Sequence, residues 1–537
     1  MESTNYSHQP AYTPTTPQPA PSFPAGRREL VFAPFTGILC LFLANCVLLG
    51  GFNLGFTLSF CSLAICGLIY LGRKLLWSAW GVFHLICVLA LAGLQSYSND
   101  GTVKFIALCA MLYGWYQALA LLTGNTTHSQ GDLRSLGSAA TIAFSHSFRE
   151  LGGNLRGLVL IETATGVQRR KVGAIAAGLA LSFPVLLVVV PLLVASDAAF
   201  EGLMEKVVFF DLQSVIFTLF FGLLLFLPVY SRSLTLRRQT TMPAKSEEAY
   251  SGRASAMTLN TILITVSVFY LLYLLSQLAY FFSGFSGILP EGFTSAEYAR
   301  RGFFEMCILC AINLGLLGLF LALVRRKEGR IPLSTRLLSH FVCLFCLVLV
   351  CVSVSKMSVY ISTYGLTRLR VLTTIFDLCV ATSIVCVALW LLWPRFPYMK
   401  VIVVSLFLAV ILTGWLDVDT QVARYNTQSY QSGKLETIDL ETLSHLSSGS
   451  TASLVSLLED ENPEIVDEVQ CILARRVWKI YTWQTEDDGT IRFILRDEDF
   501  RGLNVKAKQE ADVLWSITQD LVHKLIEMGY MDSPEGQ

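Results

Sequence analysis

Charge is scarce in this 537-residue sequence. Only 15% of residues are Asp, Glu, Lys or Arg, where a soluble globular domain carries roughly 25%. Catalytic signatures are scarcer still. There is no phosphate-cradling Gly-rich loop closed by Lys and Ser/Thr, no HExxH helix and no GxSxG elbow. No basic stretch interleaved with aromatics offers a surface for nucleic acid. A basic start followed by an apolar run is also missing, so the first residues do not read as a signal peptide. These absences argue against a soluble enzyme of a familiar motif class and against a nucleic-acid partner. They leave the class of activity, enzymatic or not, open.

What is abundant is apolar sequence. Residues of hydrophobic type make up 53% of the chain, gathered into continuous blocks rather than scattered at helical or strand period. Crossing ~30 Å of hydrocarbon takes ~20 residues of helix. Blocks of about that size fall at 34–52, 54–72, 75–95, 104–123, 173–195, 211–230, 257–283, 303–324, 337–355, 372–393 and 399–416. Lipid offers no partner to an unpaired backbone amide, so each block must be helical. The expected fold is all-α: a polytopic transmembrane bundle of about eleven helices, 34–416, with a small, mainly helical C-terminal extramembrane domain, 417–537. Residues 1–33 open with prolines at 10, 14, 17, 19, 21 and 24 and are expected to be a disordered tail.

The net charge of zero conceals a division. From Asp417 onward there are 11 Lys and Arg against 23 Asp and Glu, a net of −12; the preceding residues carry 29 against 17, a net of +12. Within that membrane part 22 of the 29 basic residues fall on alternate inter-block segments, and positive residues accumulate on the cytoplasmic side. The expected orientation is N-terminus inside and acidic C-terminal domain outside. Thirteen of the fourteen cysteines lie in apolar blocks, where free cysteine behaves as a small hydrophobe.

Four stretches stand out: "SDAAF" at 196–200, "AEYARRGFFE" at 296–305, "YGLTRLR" at 364–370 and "ARYNTQSYQSGKL" at 423–435. Together they resemble the bacterial membrane-protein family catalogued as domain of unknown function 4173, related to number 4153. The resemblance spans most of the chain to about residue 460. It implies a bacterial plasma-membrane location and a multi-pass fold, and it implies no particular activity. All four stretches fall on the expected outer side, which makes that face the candidate for function.

Several outer-side residues are candidates for a binding site. Glu297, Arg301 and Glu305 recur every four residues on one helix face, after a capping-box pattern at Thr294 and Glu297. They read either as a structural ladder or as intramembrane functional charge. Tyr364, Arg368 and Arg370 surround Gly365, which suits a positive-φ turn, and Thr367 suits a helix cap. Tyr and Arg at a membrane boundary are interfacial anchors or holders of an anionic lipid group. Asp377 lies about 10 Å deeper. With Glu305 and the arginines it forms one expected polar cluster, either functional or a static strut. His84 and His340, mid-membrane, read as partners in helix–helix hydrogen bonds or as proton relays. The pairs Cys307/Cys310 and Cys343/Cys346 have metal-site spacing, but an estimated offset in depth of about 10 Å favours packing. No metal and no cofactor is expected.

Three classes of function follow. An outer-facing sensor or scaffold would bind an envelope or protein partner through the acidic tail. A transporter would need a polar path through the bundle. An intramembrane enzyme would act on lipid-linked substrates at the outer cluster. The size of the tail favours the first.

Overall fold

The computed structural model describes residues 27–124, 189, 212–238, 254–285, 303–325, 330–485, 491–496 and 499–531. Among them are ten helices long and apolar enough to cross a membrane. In chain order these are α1 (Arg27–Gly50), α2 (Leu54–Leu71), α3 (Ala79–Tyr97), α4 (Gly101–Leu122), α5 (Leu212–Arg238), α6 (Ala256–Phe285), α7 (Phe303–Leu323), α8 (Leu333–Tyr364), α9 (Arg368–Leu392) and α10 (Tyr398–Trp415). Their boundaries follow the apolar blocks because lipid, not a local propensity, decides where each helix begins and ends. The least certain division, between α1 and α2, is a tight turn in which Gly51 adopts φ +66° and Asn53 Nδ2 donates to Gly50 O at 2.7 Å. The block expected at 173–195 lies outside the described residues, apart from residue 189. On either side of it α4 and α5 run in the same direction and end together, where Leu119 and Leu236 pack with Leu71 of α2.

The helices form two groups. In the first, α1–α5 pack around Phe60, Val88, Leu91, Leu94 and Met111, and α10 contributes Val403 and Phe407. In the second, α6–α9 close on Phe345, Cys346, Leu349 and Ile384. Between α6 and α8 the rings of Tyr270 and Phe345 stack at 4.0 Å. Polar side chains also bridge neighbouring helices. Asn260, for example, donates to Ser334 Oγ at 2.8 Å and accepts from Thr335 Oγ1 at 2.7 Å.

Beyond Trp415 the chain folds into a second, water-soluble style of packing. The elements are α11 (Val418–Gln431), α12 (Leu440–Ser444), α13 (Thr451–Val455), α14 (Pro463–Ile480), strands β1 (Tyr481–Thr485) and β2 (Ile491–Leu495), α15 (Val505–Trp515) and α16 (Val522–Glu527). The strands pair antiparallel from Tyr481↔Leu495 to Thr485↔Ile491. Between α12 and α13 the chain runs irregularly from residue 445 to 447 and then makes a single turn at Ser448–Ser450. Leu443, Leu454, Leu457, Val469, Leu473, Val477, Leu514 and Leu525 form the core of this unit. Across it lies Arg476, which donates to Glu510 Oε1 at 3.0 Å, Thr451 Oγ1 at 2.6 Å, Ser450 Oγ at 2.9 Å and Leu446 O at 2.9 Å. One guanidinium thereby joins α14 and α15 to the irregular stretch between α12 and α13.

This unit sits on one end of the bundle. Leu54 N donates to Leu503 O at 3.0 Å and Gly55 N to Arg501 O at 3.3 Å, while Arg501 Nη1 donates to Asn45 Oδ1 at 2.7 Å. A Cβ on Gly50 would stand 2.4 Å from the carbonyl carbon of Arg501. Backbone cannot yield as a side-chain tip can, so Gly50→Val should push the 499–504 loop off the α1–α2 turn. The expected cost is about 1–3 kcal/mol, with accelerated proteolysis at that loop in the full-length protein. Wild-type cleavage rates would refute the contact.

Candidate functional site

The turns that face the C-terminal unit carry the polar residues of greatest interest. The α8–α9 turn is built as its sequence suggests: Gly365 has φ +74°, and Thr367 Oγ1 accepts from Arg370 N at 3.3 Å. Asn426 of α11 accepts from Leu366 N at 2.6 Å and donates to Leu366 O at 2.7 Å. Its Oδ1 lies 2.6 Å from where a Cβ on Gly365 would sit, so the position demands glycine for space as well as for dihedral. Two of the stretches that carry the family resemblance, 364–370 and 423–435, meet here.

Arg368 projects from this turn between two carboxylates. Its Nε donates to Asp419 Oδ1 at 2.7 Å and its Nη2 to Asp419 Oδ2, while Nε stands 3.1 Å from Asp100 Oδ2. Asp419 belongs to α11 and also accepts from Ser447 N at 2.7 Å. Asp100 caps α4, with Oδ1 accepting from Thr102 N at 2.8 Å. Both acids are almost wholly buried. Nε directs its hydrogen at Asp419, so Asp100 Oδ2 has the attraction of the cation without a hydrogen bond. Burial and the neighbouring Asp419 push the Asp100 carboxyl up, against the pull of Arg368. A second ion pair stands close by, Lys506 with Asp417 at 3.0 Å. Burial works against the Lys506 charge, but Asp417 outweighs it and the ammonium is held above its usual value. Asn99 Nδ2 donates to Ser448 Oγ at 2.6 Å and Asn504 Nδ2 to Ser98 O at 2.7 Å. The α3–α4 turn is thus seated against the same unit.

Arg370 takes the other side of α9. Its guanidinium lies over the Tyr360 ring at 3.9 Å and donates through Nη1 to Tyr364 O at 3.1 Å and to Gly365 O. Tyr364 is exposed and meets Tyr360 edge-on at 5.3 Å. Asp377, 1% exposed, accepts from Ser353 Oγ of α8 at 2.7 Å and from Cys307 Sγ of α7 at 3.0 Å. The single outer cluster expected from the sequence is therefore two separate environments among the described residues: Arg368 with Asp100 and Asp419, and Asp377 with Ser353 and Cys307. Glu297 and Arg301 lie outside the described residues, as does the Glu305 side chain.

The cysteine pairs are buried among core residues as expected of packing, while the histidines and the estimated cysteine depths differ from expectation. His84 Nδ1 donates to Trp80 O at 2.9 Å and His340 Nδ1 to Arg336 O at 2.7 Å, each within its own helix rather than across two. Cys310 Sγ donates to Cys346 O at 3.6 Å, so these two residues are at one depth and the estimated offset was too large. Cys307 instead turns to Asp377. Among the described residues no three His, Cys, Asp or Glu side chains are grouped to hold a metal ion.

Ten membrane-length helices, with a compact unit seated on their turns, define a polytopic integral membrane protein with a cap at one end. Comparison of the sequence with family models narrows this class. The match is to the domain of unknown function DUF4153 and covers residues 38–457, and the chain belongs to that family. The family is the related one named with the resemblance rather than number 4173. No curated protein and no solved structure matches the chain.

Proposed function

We propose that this protein is an outer-facing sensor or scaffold of the bacterial cell envelope, in which the C-terminal unit sets the spacing of two helix groups. The observation that carries the reading is the junction at Arg368. This residue begins α9 of the second group, Asp100 caps α4 of the first, and Asp419 belongs to the C-terminal unit. A change in what the unit binds would alter both groups through one guanidinium. The orientation is supported by charge. Arg73, Lys74, Arg237, Arg325, Arg330, Arg336, Arg395 and Lys400 all fall at the helix ends away from the unit, the pattern of a cytoplasmic face. The shared direction of α4 and α5 supports an odd number of crossings between them, hence eleven in all.

A transporter reading has less support. Several described polar residues inside the bundle are tied to a neighbour: Asn45 to Thr218 and Arg501, Gln117 to Tyr113, Asn313 to Tyr270. The test uses the full-length protein with distance labels at Gly101, the first residue of α4, and Ser362, in the last turn of α8. Asp419→Asn should lengthen and broaden that distance, and membrane-impermeant reagent should reach both labels in intact cells. An unchanged distance, or labels protected from outside, would refute the proposal.

A further inference from the structure

Between α7 and α9 lies a cavity of about 480 Å³ lined by Cys307, Ile308, Ala311, Ile312, Thr373 and Phe376. Its rim is open: Ile308, Ile312 and Phe376 are 59%, 52% and 45% exposed at a depth where the surroundings are lipid. The polar atoms of its wall are already engaged. Cys307 Sγ donates inward to Asp377, and Thr373 Oγ1 donates to Leu369 O at 2.7 Å and to Arg370 O at 3.1 Å. Nothing is left to orient a polar substrate within the groove, so its complement is a hydrocarbon chain.

The upper end of the groove is different. Arg370 and Asp377 are seven residues apart, two helical turns, and so share one face of α9, with Thr373 between them. Arg370 therefore stands roughly 5 Å above the groove wall at Thr373. Tyr360, which underlies its guanidinium, packs against the Cys307–Met357 cluster that backs the cavity. Among the described residues, Arg370 is engaged through Nη1 alone, by two backbone carbonyls. Among the described residues no carboxylate is within ion-pair distance of it. A cation with unused donors above an apolar groove matches one chemistry, an anionic headgroup on an acyl chain.

We propose that the α7–α9 groove binds an anionic membrane lipid, its acyl chain along Ile308, Ile312 and Phe376 and its headgroup on Arg370. The site is independent of the sensor reading, since it involves none of the residues that join the C-terminal unit to the bundle. It also separates the roles of the two arginines: Arg368 is structural at the junction, and Arg370 is the lipid contact.

The test measures lipid retained by the purified full-length protein in detergent, with phosphatidylglycerol and phosphatidylcholine as probes. Wild type should retain phosphatidylglycerol about tenfold better, the effect of one charge-assisted contact of about 1.4 kcal/mol. Arg370→Gln should erase the preference while leaving phosphatidylcholine retention unchanged. Ala311→Trp, which fills the groove, should lower retention of both, and Ile312→Gln provides the same reading should the tryptophan variant misfold. Inorganic phosphate in millimolar excess should not displace the lipid. Equal retention of the two lipids by wild type, a preference surviving Arg370→Gln, retention unaffected by groove variants, or displacement by phosphate alone would each overturn the proposal.

Discussion

Replacing Arg368 by Gln should destabilise the full-length protein by about 3 kcal/mol, read as a loss of thermal stability in detergent. The cation is shared by Asp100 and Asp419, and removing it strands two buried carboxylates a few ångströms apart. Breaking such a pair from one side costs about 3–5 kcal/mol, and the partial exposure of Arg368 places the value at the lower end. Much of that cost is unpaired charge rather than a lost contact. The double variant Arg368→Gln with Asp419→Asn should therefore recover a large part of it, because only one buried carboxylate is then left without the cation. A single variant as stable as wild type would show that solvent reaches the junction freely.

Arg476→Met should be at least as damaging, at about 3–5 kcal/mol, but confined to the C-terminal unit. Methionine fills much of the volume yet leaves Glu510 without its cation and Leu446 O, Ser450 Oγ and Thr451 Oγ1 without their donor. Amide hydrogen exchange in the full-length protein should accelerate throughout α14 and α15 while the amides of α3, α8 and α9 keep their protection. Uniform acceleration across both regions would mean that the two fold as one cooperative body. No acceleration would mean that the guanidinium network is dispensable.

The membrane helices were legible because lipid imposes a one-dimensional rule. A run of apolar residues long enough to cross must be a helix, and its ends are marked by the first charges. The C-terminal core was legible only as helical runs, and its most connected residue, Arg476, carries no local signal. Its partners Glu510 and Thr451 are 34 and 25 residues away. The described members of the candidate cluster separate for a reason that helix geometry supplies. Arg368 and Arg370, two residues apart, point about 200° apart around α9, and Arg368 and Asp377, nine apart, point to opposite sides. Reading them as one cluster followed depth and ignored azimuth. Arg370 and Asp377 do share a face, but the acid is satisfied by Ser353 and Cys307, residues from two other helices. Asp100 and Asp419 escaped notice because each looks like an ordinary helix-start acid in its own segment. Only the closing of the turns against the C-terminal unit makes them partners.

The link between α10 and α11 is two residues, Leu416 and Asp417, and Asp417 is the one described non-glycine residue with positive φ, at +52°. Its carboxylate caps Thr420 through Oδ1 and accepts from the Thr420 hydroxyl at 2.6 Å through Oδ2, which also meets Lys506 at 3.0 Å. The chain turns at this residue as it leaves the last membrane helix. Any rotation at that joint gives up the cap and the ion pair together. The last membrane helix therefore hands over to the C-terminal unit at a corner braced by a cap and an ion pair, not through a loose tether.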